Sequence, residues 1–306
     1  MKAGPLVRWA ALAGALAIAL TLLTSGPLRP PHAAHTAGRL SVDGLALRSV
    51  RGGHGHAVVL LHGYGESLIA WRGVFDLLSR DADVLAFDLP GFGLSSKPAH
   101  GYSTEGMARW VIGVLDTASL DRVVLVGHSM GGAIAAAVAL LAPQRVRALV
   151  LIDPAGVAPP RGLGATRDTA QSVVRASVAE YEAQRSRFAS PHDPAWLMED
   201  AAAARYLPAA DSSYRTALSS VLQEFDFAYL TGMRMQSLRV PTLVIWGEYD
   251  PVLPLSDGRL LAASIPRATL KVIERSWHRP HEERPAETAA VITAFLARLP
   301  PVSRSH

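Results

Sequence analysis

Gly127-His128-Ser129-Met130-Gly131 follows the apolar run Val123-Val124-Leu125-Val126 and leads into Gly132-Ala133-Ile134-Ala135-Ala136-Ala137. A strand that ends in a serine between small residues, with helix formers directly after it, describes a strand–turn–helix elbow. Such a turn leaves no room for side chains two residues before or after the serine. Glycine at both places removes the clash and leaves the hydroxyl exposed above the sheet. The stretch therefore predicts a nucleophilic serine at 129.

A serine hydroxyl is a poor nucleophile at neutral pH and needs a base to take its proton. That base is a histidine held in one tautomer by a carboxylate, and on this kind of elbow the chain order is serine, acid, histidine. Ser129, Asp250 in Trp246-Gly247-Glu248-Tyr249-Asp250-Pro251, and His278 in Ser276-Trp277-His278-Arg279-Pro280 supply that order. Each follows the end of an apolar run, so all three are expected at one edge of a sheet. For the acid, Glu248 and Asp153 are alternatives. Asp250 is favoured because Pro251 and Pro254 stiffen its loop, and Asp153-Pro154 also reads as a turn. For the base, His281 is the alternative, and it reads more simply as a locally hydrogen-bonded residue.

Negative charge on a tetrahedral intermediate needs two preorganised donors. The backbone N–H of Met130 is one candidate, and that of Tyr64, in His62-Gly63-Tyr64-Gly65-Glu66-Ser67, is the second. His62 reads as a structural residue of that loop. The side chain of His128 is expected to point away into the elbow, and Glu66 and Ser67 to be the acceptor and cap that open the helix containing Trp71, with a substrate-binding role for either as the alternative.

Working outward, Ala57–Leu61, Val84–Phe87, Ala148–Ile152, Thr242–Trp246 and Thr269–Ile273 are further short apolar runs, with Leu45–Val50 as an early strand. Runs apolar on both faces suit a mostly parallel sheet covered by helices. Between them, Ser103–Leu115 carries a capping serine and an apolar stripe at Met107, Val111 and Leu115. Gly131–Leu141 and Glu287–Leu299 read as further helices. Alternating strands and helices specify an α/β fold. The alternation breaks between Pro159 and Leu238, where helical segments near Thr169–Phe188, Ala195–Tyr206 and Ser212–Leu230 predict a helical cap inserted before the last two core strands. Phe225, Phe227, Tyr229, Met233 and Met235 read as pocket lining or as packing, with packing at least as well supported.

The expected domains are 1–38, an export signal or anchor with a Pro-rich linker; 39–158 and 241–299, the two parts of the core; 159–240, the cap; and 300–306, a tail. Lys2 and Arg8 precede a mostly apolar stretch, and the segment 9–28 is about long enough to span a bilayer. A cleaved signal and an uncleaved transmembrane anchor both remain open. Either implies membrane association or export, with the catalytic domain periplasmic or extracellular. The chain has 306 residues and no cysteine, which excludes disulfides and thiolate chemistry. No basic run interleaved with aromatics points to nucleic acid. No cofactor and no metal are expected, since neither a dinucleotide loop nor a histidine ligand pair of metal spacing is present. The expected partner is a small-molecule substrate, with no obligate protein partner.

Taken together, the chain resembles the α/β-hydrolase superfamily, in its serine-nucleophile branch with one inserted helical cap. The resemblance rests on His62-Gly63-Tyr64-Gly65, Asp88-Leu89-Pro90-Gly91-Phe92-Gly93-Leu94-Ser95, the elbow Gly127–Gly131, the acid loop Trp246–Pro254, and His278 with Glu283 and Pro285 downstream. It covers roughly residues 40–298. Relatives of this kind include esterases, cofactor-free haloperoxidase-like enzymes and carbon–carbon bond hydrolases. Trp277 stands where such proteins usually have glycine, which puts a bulky ring near the base. The resemblance implies a serine hydrolase, foremost a carboxylesterase for small or medium apolar esters. Alternatives are a diketone hydrolase, a perhydrolase, or a non-catalytic ligand-binding protein.

Overall fold

The apolar runs of the sequence form one eight-stranded sheet, in a computed structural model that describes residues 35–159 and 212–300. The strands are β1 (His35–Val42), β2 (Leu45–Gly53), β3 (His56–Leu61), β4 (Ala82–Phe87), β5 (Val123–His128), β6 (Val146–Ile152), β7 (Thr242–Gly247) and β8 (Ala268–Ile273). Their order across the sheet is β1-β2-β4-β3-β5-β6-β7-β8. Only the pairings that involve β1 and β2 as hairpin and edge, β1 with β2 and β2 with β4, are antiparallel; the others are parallel. The first strand begins at His35, inside the stretch expected to be linker. Its polar, largely exposed sequence carries no continuous apolar run by which to recognise it.

Both faces of the inner parallel strands, β3 to β7, are buried, and alternate residues serve different layers. Val59, Leu61, Leu125, Leu149 and Leu151 pack on one side, while Val58, Leu60, Val126, Val150 and Ile152 pack on the other. Helix α1 (Arg72–Leu78) covers the second side with Val74, Phe75 and Leu78. Helix α2 (Thr104–Thr117) covers the first, capped by Ser103, whose hydroxyl accepts the Gly106 N–H at 3.1 Å. Its stripe of Met107, Val111 and Leu115 is fully buried, each worth about 1.5–3 kcal/mol relative to exposure. Helix α3 (Met130–Leu141), made mostly of small apolar residues, lies tight on the same side.

Ahead of the last two strands come α4 (Ser212–Glu224) and α5 (Met233–Ser237). The predicted helix through Leu230 stops at Glu224, whose carboxylate turns back to accept the N–H groups of Gly101 (3.0 Å) and Tyr102 (2.8 Å). Phe225, Phe227, Tyr229 and Met235 join the core cluster, whereas Met233 is 81% exposed. Packing is thus the observed use of those four. The helical segments expected near Thr169–Phe188 and Ala195–Tyr206 lie outside the described residues. Helices α6 (Leu255–Ser264), α7 (Pro280–Glu283) and α8 (Pro285–Leu296) complete the described fold.

Membrane association through residues 9–28, an export signal, and a catalytic domain held outside the cytoplasmic membrane are corrected. Among the described residues no helix is long and apolar enough to cross a membrane. The longest described helix, α2, has 14 residues and so reaches about 21 Å, short of a hydrocarbon layer of about 30 Å. Residues 9–28 lie outside the described residues. Their expectation rested on a basic start, an apolar run and a Pro-rich linker, a pattern of composition that does not by itself establish a spanning helix.

Candidate active site

Ser129 sits where β5 hands over to α3, with φ 50° and ψ −117°. A non-glycine residue there costs on the order of 1–3 kcal/mol, so the surroundings must hold it. Its N–H donates to the Ile152 carbonyl (3.0 Å), and its own carbonyl accepts from Gly132 (2.9 Å) and Ala155 (2.9 Å). The flanking glycines are sterically required. A Cβ on Gly127 would stand 2.3 Å from the Gly131 carbonyl oxygen, and one on Gly131 would stand 2.2 Å from that of Leu61.

The parallel sheet brings the loops after β5, β7 and β8 to one edge. His278 Nδ1 lies 2.7 Å from Asp250 Oδ2, and its Nε2 lies 3.2 Å from Ser129 Oγ. A carboxylate can only accept, so Nδ1 carries the proton and the bare Nε2 accepts from the serine hydroxyl. The Asp250 side chain is fully buried, and its other oxygen accepts the N–H groups of Val252 (2.7 Å) and Leu253 (3.0 Å). Burial opposes ionisation of Asp250, yet the bonds from His278 and these amides hold its pKa below the usual value. For His278, burial and the charge of His128 outweigh the pull of Asp250, and its pKa is lowered. The ring is therefore neutral, the state in which an imidazole can accept a proton.

The alternative acids are placed elsewhere. Glu248 accepts the Arg275 N–H at 2.9 Å. Asp153 is fully buried, accepts the Gly247 N–H at 2.9 Å, and has a carboxyl atom within 4.8 Å of those of Asp250 and His278. Burial, and then the charge of Asp250, push its pKa well up, so the proton of this pair sits on Asp153. The histidine loop is stapled by Glu283. Its carboxylate accepts Ser276 Oγ–H (2.7 Å) and the N–H groups of Trp277 (2.6 Å) and Arg279 (3.2 Å). Trp277 is 52% exposed, with its ring 6.4 Å from that of Tyr249.

Met130 is the first residue of α3, and its N–H is one of the helix's orphan donors. Tyr64 follows β3 in the loop packed against that helix start. Its hydroxyl donates to the Leu218 carbonyl of α4 at 3.1 Å, which ties the loop to the cap. His62 serves the loop: Nδ1–H donates to the Gly63 carbonyl (2.8 Å), and Nε2 accepts the Leu89 N–H (2.9 Å). Ser67 caps the turn Leu68–Trp71 as expected.

Three neighbours of the site differ from the sequence reading. His128 does not point away: its Nδ1 lies 3.1 Å from Glu66 Oε2, and its Nε2 lies 2.8 Å from the His278 carbonyl oxygen. Glu66 is a buried partner of that ring rather than a helix-opening acceptor. His281 is fully buried, and neither ring nitrogen has a hydrogen-bond partner among the described residues. Burial and the charge of His128 keep it neutral, packed on Trp71 with ring centroids 4.6 Å apart. The signal for the first two was adjacency. Strands β3 and β5 are neighbours, with Leu61 level with Gly127, so residues just beyond both strands must meet.

Glu66, His128 and His281 could by spacing hold a metal ion, as could Asp153, Asp250 and His278. In both groups the ionised carboxylate already has hydrogen-bond partners. Arg279 and His128 answer Glu66, and His278 with two amides answers Asp250.

The profile of the alpha/beta hydrolase fold family matches residues 56–285. A 2-hydroxy-6-oxo-2,4-heptadienoate hydrolase of Pseudomonas putida is 33% identical over 258 residues, covering 80% of this chain and 90% of the relative. A 2-hydroxymuconate semialdehyde hydrolase of a Pseudomonas species is 32% identical, covering 80% and 88%. Among solved structures, that of a bacterial membrane phospholipase A is similar with TM-score 0.69 and 29% identity, covering 96% of each chain.

Proposed function

Since the chain belongs to the alpha/beta hydrolase family and is a hydrolase of that superfamily, we propose that Ser129 is its nucleophile, His278 its general base and acid, and Asp250 the carboxylate that orients the ring. We propose further that its substrate is a vinylogous diketone, a 2-hydroxy-6-oxo-dienoate, cleaved at a carbon–carbon bond. The two curated relatives at 32–33% identity support this choice over simple esters. The continuous contact from Asp250 through His278 to Ser129 is the observation that supports the chemistry.

His278 Nε2 takes the serine proton as Oγ adds to the ketone carbon, and Asp250 stabilises the imidazolium that results. The N–H groups of Tyr64 and Met130 receive the developing oxyanion. In the 2-keto tautomer, the bond from the ketone carbon to its neighbouring methylene then breaks. Its electron pair passes through the conjugated alkene to the 2-oxygen, leaving as a dienolate that His278 protonates. The acyl group stays on Ser129. Water deprotonated by His278 attacks that acyl carbon, and the carboxylic acid departs as the serine recovers its proton. No step needs a cofactor.

An ester would follow the same course, with an alkoxide as the leaving group. The solved phospholipase structure at 29% identity favours this second reading. One assay separates them: 2-hydroxy-6-oxo-2,4-heptadienoate and a series of p-nitrophenyl acyl esters, each with wild type and Ser129→Ala. Bleaching of the dienoate chromophore with kcat/KM at least about tenfold above any ester supports the diketone reading. Ester turnover with the dienoate untouched replaces it with the second. Turnover undiminished in Ser129→Ala removes both.

A further inference from the structure

Glu66 and His128 are buried to 3% and 1% exposure beneath the site, and nothing in the proposed chemistry uses them. Glu66 Oε2 accepts the Gly63 N–H at 2.8 Å and faces His128 Nδ1 at 3.1 Å; its Oε1 accepts Arg279 Nε–H at 2.9 Å. Those partners keep it ionised: burial pushes the carboxyl up, but His128 and Arg279 hold it well below the usual range. His128 consequently has an acceptor-only group at each ring nitrogen, a carboxylate at Nδ1 and the His278 carbonyl at Nε2. A neutral imidazole has one N–H and would leave one of these contacts as two facing lone pairs. With Glu66 ionised, the contacts are met when both nitrogens donate, which makes His128 an imidazolium.

The surrounding charges agree with that state. Burial opposes the charge on His128 and Arg279 repels it, but the hydrogen-bonded Glu66 outweighs both and raises the pKa. His281, the other titratable ring against it, is neutral and 4.5 Å away between centroids. On the far side the His278 ring stands 4.9 Å from that of His128, with Asp250 on its opposite nitrogen and Asp153 protonated nearby.

We propose that the Glu66–His128 ion pair is a positioning device for His278, pinning its backbone carbonyl and setting its charge, with Arg279 as the second anchor. One carboxylate thereby joins three segments remote in sequence: the loop at Gly63, the elbow at His128, and the histidine loop at residues 278 and 279. The positive ring also opposes protonation of His278 and so keeps the base free at lower pH than Asp250 alone would permit. The proposal rests on the reading of Ser129 and His278 as nucleophile and base.

The test needs no natural substrate. The rate of labelling by a fluorophosphonate is measured against pH for wild type, Ser129→Ala and His128→Gln, whose amide keeps a donor but no charge. A unit charge 4.9 Å away shifts a pKa by about 0.6 even at water's dielectric constant, and by more in a protein. In His128→Gln the acid limb is therefore expected to move up by about 0.6 or more, with the plateau rate reduced about tenfold by the loosened ring. A limb within about 0.2 of wild type, in folded His128→Gln that still labels, overturns the proposal. Should that variant not fold, histidine 15N spectra of the wild type at pH 8 decide. A buried ring with both nitrogens protonated supports the ion pair, and its absence overturns it. Wild type that fails to label, or Ser129→Ala that labels normally, refutes the nucleophile reading instead, while the spectrum still reports on the ion pair.

Discussion

Gly131→Ala separates two forces that act in opposite directions at the elbow. Gly131 lies in the first turn of α3, where alanine is the better helix former by about 1 kcal/mol. Propensity alone thus predicts a more stable protein. The tertiary contact opposes it, because the new Cβ would stand 2.2 Å from the Leu61 carbonyl oxygen and 2.6 Å from that of His62. Both atoms are backbone at the end of β3, and ordinary contact requires them to retreat by about 1 Å. Neither can swing aside as a flexible side chain could. Overpacking of this kind costs about 1–3 kcal/mol and more when backbone must move, so the contact wins. At about 2–4 °C per kcal/mol, a fall in Tm of roughly 5 °C is expected. The function should suffer more than the stability. The displaced segment carries Tyr64, whose N–H is proposed to meet the oxyanion, and a misplacement of about 1 Å in such a site costs on the order of a hundredfold in rate. Differential scanning calorimetry and fluorophosphonate labelling rates at pH 8 read the two effects. A variant as stable as wild type, or more so, that labels within about threefold of it would refute the claim that this glycine is required by the approach of β3 to α3.

Asp250→Asn should leave the protein folded but lower the labelling rate by up to about ten-thousandfold, because an amide no longer selects the tautomer with the Nδ1 proton. Asp153→Asn should fold and label nearly as wild type at pH 7, since Asp153 already carries a proton and the amide is its isostere. Its stability relative to wild type should also rise with pH. Native Asp153 retains a proton that the unfolded chain releases above about pH 4, so wild-type stability falls from there toward the raised native pKa. Urea midpoints at pH 4, 5.5 and 7 test this, and a constant difference would contradict it. The acid limb of the wild-type labelling profile should lie below about pH 6.5, as the lowered pKa of His278 requires; a limb above that value would count against a neutral ring. Tyr64→Phe should cost about 1 kcal/mol by removing the bond to the Leu218 carbonyl, while labelling stays within about threefold, because the proposed donor is backbone.

Sequence periodicity and turn chemistry made most of the sheet and the elbow legible. Runs such as Val58–Leu61 and Leu149–Ile152 are apolar on both faces, and only a covered parallel strand uses both. Ser103 announced its helix because capping is a three-residue interaction. The polar first strand was not legible, since it is stabilised by its register against β2 rather than by its own side chains. Nor was the stop of α4 at Glu224, where a carboxylate serves amides more than a hundred residues earlier.

The elbow at Ser129 and the glycines beside it were legible in the chain alone, because each answers to a constraint spanning a handful of neighbours, and the serine–acid–histidine order was legible from the chain order that such an elbow implies. The sequence favoured Asp250 over Glu248 and Asp153, and the structure sets it against His278; that His128 turns inward to Glu66, and that His281 stays neutral among aromatic rings, were decided only by tertiary structure. Those outcomes depend on which strands lie side by side and on charges meeting in a space without water, where a contact of 3 Å between residues far apart in sequence outweighs any local preference.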